Sequence, residues 1–384
     1  MSSKPVKIVM LLSQAFYPDP RVYKEAKALS GQGYEVTILA WDRQCDFPEY
    51  DKYDGIKVER IHIKAGLGKG LTIYEFLKWV LFYWKVLLIL LRREFSVIHC
   101  HDLDTLPIGY IIGKLKKAKI IFDAHEPNYY AYWPSKHFIF VFILNFLERY
   151  LAKKSDCIIV TNSYQVNKYL KLRNKDIRLV PNYPESSIIR DSMKRSNNVV
   201  TFGRIGAIYH DTGVKETIEA FDDAHRENPD IKLILIGRIV RGYEKVLESI
   251  MNDNRKRYIE IKGEYNYHDL PQIYEEVDVS IMAYDQKSLW FKNITPTKFF
   301  ESIAQGVPVI ATDIGGIGEI IVKEDCGILI DDTDIGSLKK AILRMAENKG
   351  LIREMGERGR LAAREKFNWN LSAEGLKRAY QGLL

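Results

Sequence analysis

Cysteine is scarce: Cys45, Cys100, Cys157 and Cys326 are the four in 384 residues, far apart and without a C-x-x-C pair. That spacing points to neither a zinc cluster nor a disulfide framework, and it fits reduced thiols held mostly in strands. The start, MSSKPVKIVMLLS, has no long apolar run and no small-residue cleavage site, so the expectation is a cytoplasmic chain. A dense basic tract is also missing. The formal net charge is +7, but the cations are scattered through helical patterns. That scatter argues against nucleic acid and favours phosphorylated substrates or an anionic membrane surface. With 46% hydrophobic and 28% charged residues the chain is neither disordered nor fibrous. Its length predicts two domains with substantial cores.

One long apolar run is present, LTIYEFLKWVLFYWKVLLILL at residues 71–91. It is about as long as a membrane span, but Glu75, Lys78, Lys85 and Arg92 recur three to seven apart. The spacing gathers them on one helical face opposite a broad apolar one. A buried helix, a helix lying in a membrane interface and a true span all remain open. The shorter run Phe138 to Leu147 reads as a core helix.

Elsewhere the chain alternates apolar strand, loop, amphipathic helix and strand, beginning KIVMLLS, VYKEAKALSGQGY, EVTILAW. Such alternation predicts parallel βαβ units with ligand-facing loops after the strands. VIHC near residue 99, KIIFDAH near 122 and DCIIVTN near 159 are continuous and β-branched, as buried parallel strands are. With IRLVPN near 180 they complete one doubly wound domain. The polar stretch NYPESSIIRDSMKRSNN reads as a linker, and the alternation restarts with VVTFGRI, KLILIGR, IEIKGEY, VSIMAY, VPVIATD and GILIDD. The expected fold is α/β, two Rossmann-like doubly wound domains facing a central cleft. Residues 1–184 form the first domain, 185–365 the second, and 366–384 a C-terminal helix packing back on the first. Neither half carries G-x-G-x-x-G after its first strand, which disfavours a nicotinamide dehydrogenase.

The strongest local signal is NITPTKFFESIAQGVPVIATDIGGIGEI, residues 293–320. Pro296 suits the first turn of a helix, leaving the N–H groups of Thr297, Lys298 and Phe299 to hold an anion such as phosphate. Glu301, one turn on, offers acceptor oxygens for a diol such as ribose; the plain alternative is a solvated Glu on an amphipathic helix. Thr201-Phe202-Gly203-Arg204 closes a strand, and the Arg204 fork matches a diphosphate, unless it is an ordinary surface Arg. Gly237-Arg238 and Gly263-Glu264-Tyr265 also follow strands, where their backbones can flank a base or ribose.

In the first half, Phe122 to Glu126 ends a strand. His125 there is placed to hydrogen-bond a hydroxyl or transfer a proton, or is a satisfied loop histidine. His99, His101, Asp102 and Asp104 form another polar strand end. Two carboxylates in Asp102-Leu103-Asp104 can hold a divalent cation beside a diphosphate, although Arg204 and a helix N-terminus would neutralise the same charge without metal.

These segments resemble family 4 glycosyltransferases, the large retaining group with the two-Rossmann GT-B fold. FYPDPRVYKEAKALSGQGYEVTILA resembles the family's opening strand and helix, and IHCHDLDTLPIGYIIGKLKKAKIIFDAHE its middle N-terminal segment. PTKFFESIAQGVPVIATDIGGIGEII with CGILI resembles its donor-site signature, and GERGRLAAREKFNWN its C-terminal approach. The resemblance covers nearly the whole chain. It implies a donor-binding second domain and an acceptor-side first domain, with Glu301 on the donor ribose, Arg204 on the diphosphate and His125 beside the transferred sugar. Arg21, His101 and Glu126 go with the acceptor side.

The implied reaction is transfer of a hexose-type sugar, with retention, from a nucleotide-sugar such as a UDP- or GDP-sugar. A saccharide or lipid-linked saccharide receives it, at the inner face of a membrane and in cell-surface glycan synthesis. No cofactor and no obligatory metal is implied. The sequence departs from the pattern at Asn293, where the family commonly has glutamate, and at Thr212, where it tends to have lysine, with Lys215 or Lys298 as substitutes. Ser13-Gln14-Ala15 replaces a glycine pair, and Gly318 stands where proline is frequent. Two other readings stay open on the same architecture: a sugar-nucleotide epimerase-like enzyme, and a nucleotide-sugar-binding protein with impaired catalysis.

Overall fold

The computed structural model describes residues 5–17, 19–66, 72–125, 138–172, 176–190, 199–288 and 291–384. Its contacts divide the chain into two compact units, residues 1–181 with 372–384, and residues 182–371.

The first unit runs β1 (Lys7–Leu12), α1 (Pro20–Ser30), β2 (Glu35–Asp42), β3 (Tyr50–Tyr53), β4 (Ile56–His62), α2 (Ile73–Leu91), β5 (Val97–His101), α3 (Leu106–Lys116), β6 (Lys119–Ala124), α4 (Phe138–Lys154), β7 (Cys157–Val160), α5 (Ser163–Leu170) and β8 (Asp176–Leu179). The sheet order is β3-β4-β2-β1-β5-β6-β7-β8, with β3 antiparallel to β4 and the other pairings parallel. Helix α1 starts where Pro20 fixes the first turn and the Asp19 carboxylate accepts the amides of Arg21 at 3.0 Å and Val22 at 3.1 Å. The chain reverses direction in the order between β2 and β5, so the carboxyl ends of β1 and β5 flank a crevice of the kind that binds ligands in open α/β sheets.

The second unit runs β9 (Val200–Ile205), α6 (Val214–Glu227), β10 (Ile231–Ile236), α7 (Glu244–Ile250), β11 (Ile259–Lys262), α8 (Leu270–Glu275), β12 (Val279–Met282), α9 (Thr297–Ala304), β13 (Val309–Thr312), α10 (Ile317–Glu324), β14 (Gly327–Ile330), α11 (Ile335–Glu347) and α12 (Lys349–Glu365). Its parallel sheet has the order β11-β10-β9-β12-β13-β14, the Rossmann order, with the crevice between β9 and β12. Helix α13 (Trp369–Gln381) follows, and from Ser372 onward it belongs to the first unit. There the Tyr380 hydroxyl is hydrogen-bonded to His99 Nδ1 of β5 at 2.7 Å.

Three expectations need correction. The strands β3 and β4 are absent from the sequence reading, although Asp54 and Gly55 between them, both at positive φ, make the tight turn that an Asp-Gly pair favours. Helix α2 is neither a core helix nor a span: only Phe82, Val86 and Leu90 are buried. Among the described residues no helix is long and apolar enough to cross a membrane. The Phe138–Leu147 run is part of the longer α4, whose Ile139, Phe142, Ile143 and Phe146 face solvent instead of the core.

Candidate active site

In the first unit, the carboxyl ends of β5 and β6 and the first turns of α1 converge on a buried ionic cluster. Arg21 and Glu25 lie one turn apart on α1, on the same side as Val22, Ala26 and Leu29. Arg21 forks onto Asp123 of β6, with Nε to Oδ2 at 3.2 Å and NH2 to Oδ1 at 2.8 Å. It also donates to the Val180 carbonyl at 2.9 Å and pairs with Glu25 at 2.9 Å. Asp123 Oδ2 lies 2.7 Å from His125 Nε2 and 3.2 Å from His101 Nδ1.

Asp102 adopts a left-handed backbone conformation (φ 62°). That turn brings its Oδ1 to the His125 amide at 2.9 Å and its Oδ2 to within 3.5 Å of the ring. His99 stacks on His101, ring centroids 4.4 Å apart.

These contacts set the charges. For His125, burial works against the proton, but the carboxylates of Asp123 and Asp102 outweigh it and push the imidazole up to about 10. It is a cation at neutral pH. Burial holds His99 low, and burial with the neighbouring His99 holds His101 well below the ordinary range. Asp123 is burdened by burial but held well below the carboxylate range by Arg21 and His125. Burial, and then the nearby Asp123, raise Glu25 to about 8 despite Arg21. The cations of the cluster, Arg21 and His125, thus face Asp123 and Asp102, and Glu25 is held well above the ordinary carboxylate range.

Glu25, His99, His101 and Asp123 each offer one ligand atom within 4.8 Å of the others. Arg21, however, already contacts both carboxylates, so its fixed charge fills the electrostatic position an ion would take. Nor do Asp102 and Asp104 act as a pair: Asp102 serves His125, and Asp104 accepts from Ser13.

In the second unit, Arg204 ends β9 beside the crevice. It is 2% exposed; its NH2 reaches the Thr212 carbonyl at 3.5 Å and its guanidinium lies 5.6 Å from the Tyr284 ring centroid. Among the described residues, Arg204 Nε and NH1 have no hydrogen-bond partner. Tyr284 in turn stacks on Phe291 at 4.5 Å, in the short 3-10 turn Phe291–Asn293 that carries Asn293.

Gly206, one residue beyond β9, separates two cations. A Cβ on it would lie 3.4 Å from Arg204 NH1 and 3.8 Å from Lys298 Cγ. Gly237 crosses so close that a Cβ would meet the Gly206 carbonyl at 2.1 Å, and both glycines sit at positive φ (145° and 125°). A side chain at either position would strain the backbone; at Gly206 it would enter the space between Arg204 and Lys298, and at Gly237 it would collide with the Gly206 backbone.

Lys298 pairs with Glu301 at 2.8 Å and lies 5.3 Å from the Tyr265 ring centroid. Burial opposes its charge, but Glu301 outweighs burial and raises its pKa. Lys298, Glu301, Tyr265 and the first turn of α9 are thus linked by contact, and Gly206, crossed closely by Gly237, lies between Lys298 and Arg204. Lys215 is not among them; it pairs loosely with Glu219 on the exposed side of α6. Thr212 is buried and its hydroxyl closes its own turn onto Tyr209.

Several sequence-derived positions differ from expectation. Pro296 is the N-cap and not the first helical residue. The Phe299 amide bonds the Pro296 carbonyl at 3.2 Å and its ring is in the core, so Thr297 and Lys298 supply the open first-turn amides. Gly203 is small because Val277 packs on it; a Cβ would sit 2.5 Å from that side chain. Arg238 is a surface residue 3.8 Å from Glu264, and Gly263 is exposed. Glu126 lies outside the described residues. Reasoning from sequence missed Glu25, Asp123, Gly206 and Tyr284. An acid at Glu25 in register with Val22, Ala26 and Leu29 is a legible sign of a buried ionic pair.

Residues 186–362 match the family described as Glycosyl transferases group 1, and residues 21–183 match Glycosyltransferase Family 4. The chain belongs to the family 4 glycosyltransferases. An uncharacterized glycosyltransferase of Methanocaldococcus jannaschii is 26% identical over 61% of this chain and 62% of its own length, so the chain spans about three fifths of that relative. Among solved structures, sucrose-phosphate synthase from Thermosynechococcus elongatus superposes with a TM-score of 0.76 at 17% identity, over 98% of this chain and 99% of that one. Anabaena HepE in complex with UDP-glucose gives 0.74 at 14% identity, over 98% and 99%. The glycosyltransferase thus has the GT-B fold, and its Arg204 and Lys298 cluster lies in the group 1 segment.

Proposed function

We propose that this glycosyltransferase transfers a hexose-type sugar, with retention, from a nucleotide-sugar to a saccharide or lipid-linked saccharide, at the cytoplasmic face of a membrane in cell-surface glycan synthesis. The observation that carries the donor reading is the pair of buried, unpartnered Arg204 donors beside Lys298 and the first turn of α9. Buried guanidinium N–H groups are costly to leave unsatisfied. A diphosphate satisfies them with charge-assisted bonds. Glu301 at the same cluster offers acceptors to ribose hydroxyls, and Gly237 lets backbone approach closely. A neighbour of the same fold was solved with UDP-glucose, which favours a uridine nucleotide first.

In the proposed reaction the bond from the anomeric carbon to the diphosphate oxygen breaks as the acceptor oxygen attacks from the same face. The acceptor proton passes to the departing phosphate, so no protein base is needed. The contribution of Arg204 and Lys298 is to stabilise the charge that develops on the leaving group. His125 acts as a cationic donor to a sugar hydroxyl, since a group titrating near 10 is a poor base at pH 7. Asn293 serves as a neutral hydrogen-bonding partner.

Calorimetry with UDP, GDP, ADP and their sugar conjugates, with and without magnesium, tests this. Saturable binding of one nucleotide family, unchanged by magnesium, is expected. Absence of binding by all of them would sink the donor site, and donor consumption without acceptor would favour the epimerase-like reading.

A further inference from the structure

Three helices of the first unit turn apolar side chains outward on the same side of the sheet. The crossovers through α2, α3 and α4 all advance in one direction along it, so right-handed connection puts them on one face; α2 packs on α3 and α3 on α4. On α2, Ile73, Leu77, Val80, Trp84, Leu88 and Leu91 recur at helical spacing along the outer surface, opposite buried Phe82, Val86 and Leu90. Helix α3 adds Ile111 and Leu115, and α4 adds Phe142, Ile143 and Phe146. Trp84 is 56% exposed and Phe146 65%. Single exposed residues of this kind are ordinary, but a band across three adjacent helices marks an interaction surface.

The helix ends around the band are basic: Arg92 ends α2, Lys114 and Lys117 end α3, and Lys153 and Lys154 end α4, while Arg93 is taken up by Glu59 at 2.7 Å. The acids of these helices are already used: Glu75 pairs with Lys78 at 2.8 Å, and buried Glu148 with Lys168 at 2.7 Å. Beside the band, a groove of about 330 Å³ is lined by Phe146, Arg149, Tyr150, Lys153, Lys171 and Leu172, a basic and aromatic setting suited to a lipid phosphate.

We propose that this face docks on an anionic bilayer, with α2, α3 and α4 lying in the headgroup boundary and the basic helix ends on lipid phosphates. Apolar burial and attraction to anionic lipid act together in such binding. A second copy of this chain fits less well, because a two-fold contact repeats the same surface on both sides and this surface offers the basic ends no unpaired acidic partner on α2, α3 or α4. The inference deepens the membrane-face reading of the proposed function and does not depend on which nucleotide the second unit binds.

Co-sedimentation of the full chain with phosphatidylcholine vesicles, and with vesicles that also contain phosphatidylglycerol, tests it at low and high salt. Partition onto the phosphatidylglycerol vesicles is expected, weakened by salt. It should fall at least about tenfold in Lys153→Glu/Lys154→Glu, since each basic residue near the surface contributes on the order of 1 kcal/mol, and should be lost in Leu77→Asp/Trp84→Asp. Nucleotide binding, read by calorimetry on the same samples, reports folding and keeps failure of the donor site separate from failure of docking. Equal partition onto both vesicles, or unchanged partition in both variants, would overturn the proposal. So would a wild-type dimer that Leu77→Asp/Trp84→Asp converts to monomer in light scattering.

Discussion

Replacing Asp123 by Asn tests whether the first unit holds His125 as a cation. In the wild type, Asp123 takes the Arg21 fork and lies 2.7 Å from His125 Nε2. The amide keeps the shape and removes the charge. Two titrations should then move together. His125 loses the nearer of its two carboxylates, leaving Asp102 at 3.5 Å, so its pKa should fall from about 10 toward the ordinary range. Glu25 loses the neighbouring negative charge that helps hold it near 8 and should ionise, taking over as the partner of Arg21.

Breaking a buried ion pair from one side costs roughly 3–5 kcal/mol, and the Arg21–Glu25 contact already in place at 2.9 Å should limit the loss to about 3 kcal/mol. For a unit of this size that is a fall of about 6–12 °C in its melting temperature. The sign with pH follows from linkage. Both raised groups bind more protons folded than unfolded, Glu25 between about 4.5 and 8 and His125 between about 6.5 and 10. Stability from these two groups therefore declines as pH rises through those windows, and the decline should be shallower in the variant. Nitrogen NMR of the imidazole rings reads His125 directly. A wild-type midpoint near 6.5, or one that Asp123→Asn leaves in place, would refute the reasoning.

Two further substitutions separate binding from chemistry in the second unit. Glu301→Ala should weaken nucleotide binding by roughly 1.5–3 kcal/mol, the scale for a hydrogen bond to a charged group; calorimetry that finds unchanged affinity would remove Glu301 from the ribose. Arg204→Ala should depress turnover more than donor affinity, because charge on the leaving group is larger in the transition state than in the bound donor. Equal losses in the two would make Arg204 a binding residue only.

The two parallel sheets are legible in the sequence because their strands are buried on both faces and read as unbroken β-branched runs, such as Lys119–Ala124 and Ile231–Ile236. The hairpin of β3 and β4 is not of that kind. Tyr50–Tyr53 is largely exposed and Ile56–His62 alternates buried with less buried residues, so at the sheet edge only the Asp54-Gly55 turn announces the pair. Helix α2 misleads for another reason. Lys78, Lys85 and Arg92 form a narrow strip flanking the helix, and apolar residues occupy both the side against the sheet and the side toward solvent. A period of 3.6 residues locates a polar strip but does not say how many apolar faces it divides.

The site divides along similar lines. Arg204, Lys298 and Glu301 are legible because a strand end and a helix start expose local chemistry that the sequence spells in order. The first-unit cluster is assembled from α1, β5 and β6, and its partners are 102 residues apart at the Arg21–Asp123 pair. No local pattern specifies that pairing. What the sequence does show is the anomaly each partner creates alone: a Glu on the apolar side of α1, and His99, His101 and Asp123 within buried strands. Ionisable groups in such places are stable only when they satisfy one another. Burial of several in one domain therefore predicts a shared cluster even before its members can be matched. The charge on His125 belongs to that cluster as a whole, since the residue's own neighbours in sequence include only one of the two carboxylates that hold its proton.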